Sequence, residues 1–307
     1  MTTGVVLART PRVRRKRPWP ETWVAAAFVA PAALVVLLIV VVPLARALWM
    51  SLFHIVLTRP GVEPFVGLDN YIGQLTSPGF WDATFRALYF TVVSTGLELS
   101  IGLALALLMD QPLRFRWLLR SIIILPWALP TIVNALMWRW IDNAEYGSLN
   151  ALLTQTGIIP EYQPWLSNSD TAMWMAIIAD VWKMTPLCAI LLLAALQSVD
   201  REIVEVAQVD GAGPIQLFRH IVLPLITPVV LIVLVLRTME AFKVFDLIWI
   251  MTHGGPANST QTIAIYAYQT AYQGFDFGRG AALGYLIALV IMVLAAVYLR
   301  LLGRTGR

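Results

Sequence analysis

Residues 22 to 45 run for twenty-four positions without one charged side chain. At about 1.5 Å per residue, a helix of that length crosses the roughly 30 Å hydrocarbon layer of a bilayer. Further apolar segments at about 85–109, 118–141, 171–197, 217–239 and 279–302 bring the expected number of spans to six. The composition agrees: 59% of residues are hydrophobic and 13% charged, where soluble domains carry roughly 45–50% and 25%. The 307 residues are therefore expected to form an all-α membrane protein rather than two soluble domains. A secretory signal would be the rival reading of the first segment, with Arg12 to Arg17 as its basic end and Ala45-Arg46-Ala47 as its cleavage site. Its apolar stretch exceeds the roughly 7–15 residues of such signals, so the segment reads as a span.

Six spans place both termini on one side, and the basic residues select which. The segments on the terminal side hold fourteen Lys or Arg, including Arg9, Arg12, Arg14, Arg15, Lys16, Arg17, Arg114, Arg116, Arg120, Arg201 and Arg219. The other side holds four, Arg46, Arg59, Arg86 and Arg279, and none in residues 142 to 170. Positive charge favours the cytoplasmic face. Both termini and the loop at 198–220 are thus expected in the cytoplasm. The chain divides into a basic tail at 1–21, a membrane domain at 22–302 and a short tail at 303–307. The net charge of +4 reflects this asymmetry and not a nucleic-acid surface.

The 198–220 loop is polar and patterned. Asp200 is a suitable N-cap for a short helix, with Ile203 and Ala207 forming an apolar stripe one turn apart. Asp210-Gly211 marks a turn, and Pro214 fits the first turn of a following helix. The run Glu205, Ala207, Asp210, Gly211, Ala212, Phe218, Ile221, Leu223 and Pro224 resembles the EAA loop of ABC importer permeases, departing conspicuously only at Val206. A second stretch, Phe242 to Thr260 with Gly254-Gly255-Pro256, and the Pro126-Trp127-Ala128-Leu129-Pro130 step are similar to the carbohydrate-uptake group, the permeases for maltose, glycerol-3-phosphate and trehalose. Within it, the resemblance is greatest to the first permease subunit of trehalose importers.

The resemblance implies a type I importer permease fold, in which the EAA segment docks on an ATPase and converts its closure into movement of the spans. It implies four kinds of partner: a second homologous permease, a dimer of ATPase subunits, an extracytoplasmic sugar-binding protein that is lipid-anchored in some systems, and membrane lipid. ATP and Mg would be used by the ATPase, with no cofactor held by this chain. Consistently, the sequence contains no G-x-x-x-x-G-K-[S/T] loop, H-E-x-x-H motif or nucleophile elbow, so no catalytic residue is expected. The three histidines, at 54, 220 and 253, lack metal-ligand spacing, and the single Cys188 lies in an apolar segment. A disaccharide, trehalose first, is the expected cargo; another glucoside or a glycerol phosphate ester is the alternative, and a proton-coupled carrier using Glu98, Asp180 and Glu240 is a further one.

Charges inside spans are costly in lipid and mark a bundle interior or a transport path. Glu98, Asp180 and Lys183 are read as an intramembrane charge network, Asp180 and Lys183 sharing a helix face at i, i+3. Arg237 and Glu240 are read as pathway residues, with Lys243 and Asp246 nearer the interface. Sugars are held by hydroxyl-binding groups and aromatic faces, which adds Asn134, Trp138, Trp140, Trp182, Phe242, Trp249, Tyr266 and Tyr268 to the candidates. Trp182, beside Lys183 near a span centre, stands out; Trp19, Trp23, Trp49 and Trp117 fit an interfacial belt.

Overall fold

The computed structural model describes residues 21–58, 61, 63–112 and 114–305. Most of the basic N-terminal tail, which carries much of the charge asymmetry, lies outside the described residues, as do Trp19, Arg59 and Arg307. The described chain is mainly helical and divides into two compact units between Trp49 and Met50.

In the first unit, α1 (Glu21–Val36) passes through one π-helical turn, Leu37–Val41, into α2 (Val42–Ser51). Phe28, Leu34, Leu38 and Ile39 stand exposed. A helix apolar on every side suits lipid, where no polar face is required. From Ala25 to Ser51 it is long and apolar enough to cross a membrane.

The second unit starts at Met50, near the end of α2, and continues with a short α3 (Asp69–Leu75) and the long α4 (Pro78–Asp110). Pro78 opens α4 at a position where its missing N–H costs nothing, and its 33 residues extend about 50 Å. Then come α5 (Arg116–Ala128), α6 (Thr131–Ile141), α7 (Ser148–Gln155), α8 (Ser169–Gln197), α9 (Arg201–Val209), α10 (Pro214–Leu217), α11 (Leu223–Phe242), α12 (Asp246–Met251), α13 (Ile263–Tyr268) and α14 (Phe277–Thr305). Asn168 caps α8 by accepting from the Asp170 N–H at 2.9 Å. Among the described residues, five helical segments are long and apolar enough to span, six if the bent pair α5–α6 counts as one.

That pair occupies the third expected span, 118–141. The chain bends by 93° between α5 and α6. Leu129 and Pro130 are both extended, with ψ of 136° and 143°. A proline disfavours the helical conformation of the residue before it and supplies no N–H of its own, so the ladder is broken at this step. Backbone groups freed inside a membrane are tolerated where protein or a polar cavity surrounds them.

The α4–α8 pair is the spine of this unit. Along it Ala106, Met109, Ala189, Leu192 and Leu196 pack with Ile226 of α11, and further along Phe90, Ala176, Ile177 and Ala179 pack with Ala241 and with Leu247 and Ile248 of α12. Small residues permit the close crossing. A Cβ built on Gly102 would lie 2.9 Å from Cβ of Cys188 and 3.2 Å from the Ala189 nitrogen. Gly102→Ala is expected to cost about 1–3 kcal/mol, the usual penalty for overpacking a core, and Gly102→Leu to exceed it. Heating the detergent-solubilised protein and measuring what survives size-exclusion chromatography checks both.

Candidate functional site: a buried arginine network and an exposed turn

Three helices deliver charge to one point. Arg237 on α11 is only 3% exposed and meets Glu98 of α4, which is fully buried, in a fork: Nε donates to Oε2 at 2.5 Å and Nη2 to Oε1 at 2.9 Å. Nη2 also donates to Oδ2 of Asp180 on α8 at 3.1 Å, and Nη1 to Oε2 of Glu240 at 2.7 Å. The planar guanidinium can serve several carboxylate oxygens at once because its donors are fixed in a fork. Three carboxylates therefore converge on one guanidinium. Glu240 remains half exposed, so the network opens at one side.

The expected Asp180–Lys183 pairing is replaced by this arrangement. Lys183 donates to Oγ1 of Thr131 on α6 at 2.5 Å, across the bent pair, while Asp180 goes to Arg237. Of the three residues read as a charge network, Glu98 and Asp180 meet on Arg237, a residue read as part of the pathway, while Lys183 turns to Thr131 instead. Asn134 is buried and donates through Nδ2 to the Ala179 carbonyl at 3.2 Å, fastening α6 to α8. Trp138 and Trp182 meet edge to face at 6.1 Å. Both line a cavity of about 510 Å³ whose wall, with Leu97, Ile101, Val181 and Pro186, is almost wholly apolar.

Phe242 does not join this group. It is 1% exposed and packs with Phe80, Ala83, Ala87, Ile263 and Leu283. Five residues beyond Arg237, it has rotated by about 140° around α11 and faces the opposite side. Tyr266 uses its hydroxyl on Gln74 Oε1 at 3.2 Å. Trp249 and Tyr268 lie instead in a file of rings, 4.8 Å apart.

Asp142 belongs to none of the sequence motifs. This residue ends α6, is 1% exposed, and neither of its carboxylate oxygens has a hydrogen-bond partner among the described residues. Burial alone pushes its carboxyl up to about 7. A group whose folded pKa lies above its unfolded value of about 4 stabilises most below that value and loses its contribution as pH rises through the folded one. The melting temperature should therefore fall between about pH 4 and 7, and Asp142→Asn should flatten that part of the slope. An acid directly after a span, in a loop segment without Lys or Arg, was the available signal.

At the other end of α8 the patterned loop forms the expected helix, turn and helix. Asp200 Oδ1 accepts from the Glu202 N–H at 3.0 Å and caps α9. Gly211 has φ of 86°, a left-handed value suited to glycine, and the Ala212 N–H donates to the Ala207 carbonyl at 2.9 Å, closing the turn. Gly213 N–H donates to Gln216 Oε1 at 3.1 Å as Pro214 starts α10. Glu205, Asp210 and Gly211 are exposed, while Ala207, Ala212 and Phe218 are half-buried. Val206, Val209 and Ile215 are 60%, 88% and 81% exposed. Local hydrogen bonds hold the turn rigid while its apolar side chains have no cover.

Residues 98–305 match the family described as binding-protein-dependent transport system inner membrane component. The chain is 39% identical over 279 residues to the trehalose/maltose transport system permease protein MalF of Thermococcus litoralis, covering 91% of this chain and 93% of that protein. It is 34% identical over 275 residues to the trehalose transport system permease protein SugA of Mycobacterium tuberculosis H37Rv, covering 90% and 87%. Its fold matches a chain in the crystal structure of a bacterial ABC transporter that imports the acidic polysaccharide alginate, with a TM-score of 0.81 at 23% identity over 94% of this chain and 97% of the other. The chain thus belongs to the inner-membrane components of binding-protein-dependent transport systems: it is a multi-pass, non-catalytic permease subunit of an ABC importer, whose ATP is hydrolysed by a separate subunit.

Proposed function

We propose that this chain forms one half of the translocation pathway for a neutral disaccharide of the trehalose or maltose type and couples it to a partner ATPase. The observation that carries the coupling is the capped, rigid α9–α10 turn, with Val206, Val209 and Ile215 left uncovered beside Glu205 and Asp210. Such a knob is suited to a groove on another subunit, because its apolar side chains gain burial there. The cargo reading is supported by the likeness to the trehalose/maltose permease across nearly the whole chain. In this reading both termini and the α9–α10 turn are cytoplasmic, as the Lys/Arg asymmetry favours.

The second half of the pathway comes from a homologous permease, two ATPase subunits bind the α9–α10 turns of the two permeases, and an extracytoplasmic binding protein supplies the sugar. The open side of the Arg237 network and the Trp138–Trp182 pair give this chain's contribution to the path. Glu240, Asp180 and Lys183 offer hydroxyl-binding groups, and the two indoles offer stacking faces. ATP and Mg act only at the partner.

Proteoliposomes holding the complete transporter test the cargo. ATP-dependent accumulation of labelled trehalose or maltose, with glycerol-3-phosphate excluded, is the expected result. Uptake of glycerol-3-phosphate, or of no disaccharide, would contradict the reading.

A further inference from the structure

At the end of α6, a cavity of about 410 Å³ opens between Asp142, the 164–167 segment and the turn at 251–256. Arg139, Asn143, Ser167, Thr252 and His253 line it together with Asp142. The buried, unpartnered carboxylate of Asp142 is the first sign that something is missing. It stands at the C-terminal end of α6, where the last carbonyls already carry partial negative charge, so it lacks even the help of a helix dipole. It needs a hydrogen-bond donor.

Other groups around the cavity are also uncommitted. Arg139 gives Nη1 to the Ile250 carbonyl at 3.3 Å, which leaves most of its five donors. Asn143 uses Oδ1 to accept from the N–H groups of Glu145 and Tyr146, leaving its amide N–H₂ available. The mixture of signs narrows the ligand. A cation would meet Arg139 and an anion would meet Asp142, whereas a polyol both donates and accepts. Among the described residues no group of three His, Cys, Asp or Glu gathers to hold a metal.

A file of rings starts at His253, which lines the cavity. His253 lies 4.9 Å from Trp249, Trp249 lies 4.8 Å from Tyr268, and Tyr268 stacks on Tyr272 at 5.0 Å. Tyr272 is 57% exposed. The turn that carries His253 is strained: His253, Ala257 and Asn258 have φ of 55°, 45° and 62°. Non-glycine residues persist in that region only where their surroundings hold them there, often at ligand sites.

We infer that this cavity and the ring file form an outer carbohydrate site, distinct from the Arg237 network, that takes one or two pyranose units before they enter the pathway. Its volume falls in the roughly 300–1,000 Å³ range of small-molecule pockets. The hydroxyls would meet Asp142, Arg139 and Asn143, and the apolar ring faces would stack along Trp249 to Tyr272. The inference rests on the proposed function, since it takes the cargo to be sugar and this face to be extracytoplasmic.

Ser167 is exposed and Cys188 is buried, so a Ser167→Cys variant offers one reactive thiol. In proteoliposomes of the transporter without its binding protein, a membrane-impermeant maleimide should label it, and millimolar trehalose or maltose should slow labelling by about threefold or more while spermidine at the same concentration should not. In the complete transporter, Tyr272→Ser should raise the KM for uptake about two- to tenfold, the range of a lost stacking contact, with kcat retained. Labelling that sugar leaves unchanged, in a transporter that imports the sugar, would overturn the outer site and leave the function standing. Protection by spermidine in place of sugar would make it a cation site and overturn it as well. A complete transporter that imports no sugar would overturn the functional reading and the outer site together.

Discussion

Arg237→Met should destabilise the protein by about 3–5 kcal/mol, the cost of removing one partner from a buried ion pair. The reason is what remains. Glu98 is fully buried and its two oxygens accept from Arg237, so the substitution strands a carboxylate between α4, α8 and α11 with Asp180 beside it. Heated samples analysed by size-exclusion chromatography should show the loss. The double variant Arg237→Met, Glu98→Leu should recover most of it, because apolar groups of similar volume replace a buried pair at little cost. Transport should stay impaired in the double variant if the network also serves the path. Equal stability of Arg237→Met and the wild type would mean that the pairing contributes nothing to the fold.

The second large effect is expected at the other end of the bundle. Glu205→Ala combined with Asp210→Ala should reduce ATP-driven uptake by about tenfold or more, which corresponds to at least ~1.4 kcal/mol of lost coupling. Stability should hardly change, since both side chains are exposed and surface substitutions of this kind usually stay within about 0.5 kcal/mol. Uptake assays paired with melting curves separate the two effects. Normal uptake in the double variant would remove these residues from the transmission of force.

The spans were legible because hydropathy survives any folding: a charge-free run such as 22–45 must find lipid or a core. Direction was less legible. Pro126 and Pro130 fall within the third span, but composition cannot report that the chain turns by 93° there. The α9–α10 turn could be read almost residue by residue, since its cap, glycine and proline act on neighbours within four positions. Arg237 and Glu98, 139 positions apart, could each be recognised as a costly membrane charge without revealing that they meet. Phe242 was misplaced because proximity to Arg237 in sequence hides the rotation of a helix. The surroundings of Asp142 were not legible, because they include residues from 164–167 and 251–256, which no local pattern brings there.

ATP hydrolysis by the fully assembled transporter in lipid, with each candidate solute supplied on its binding protein, tests the coupled-permease account most directly. Trehalose or maltose should stimulate hydrolysis and glycerol-3-phosphate should not. Hydrolysis at one rate whatever the solute, in an assembly that contains every subunit, would contradict it.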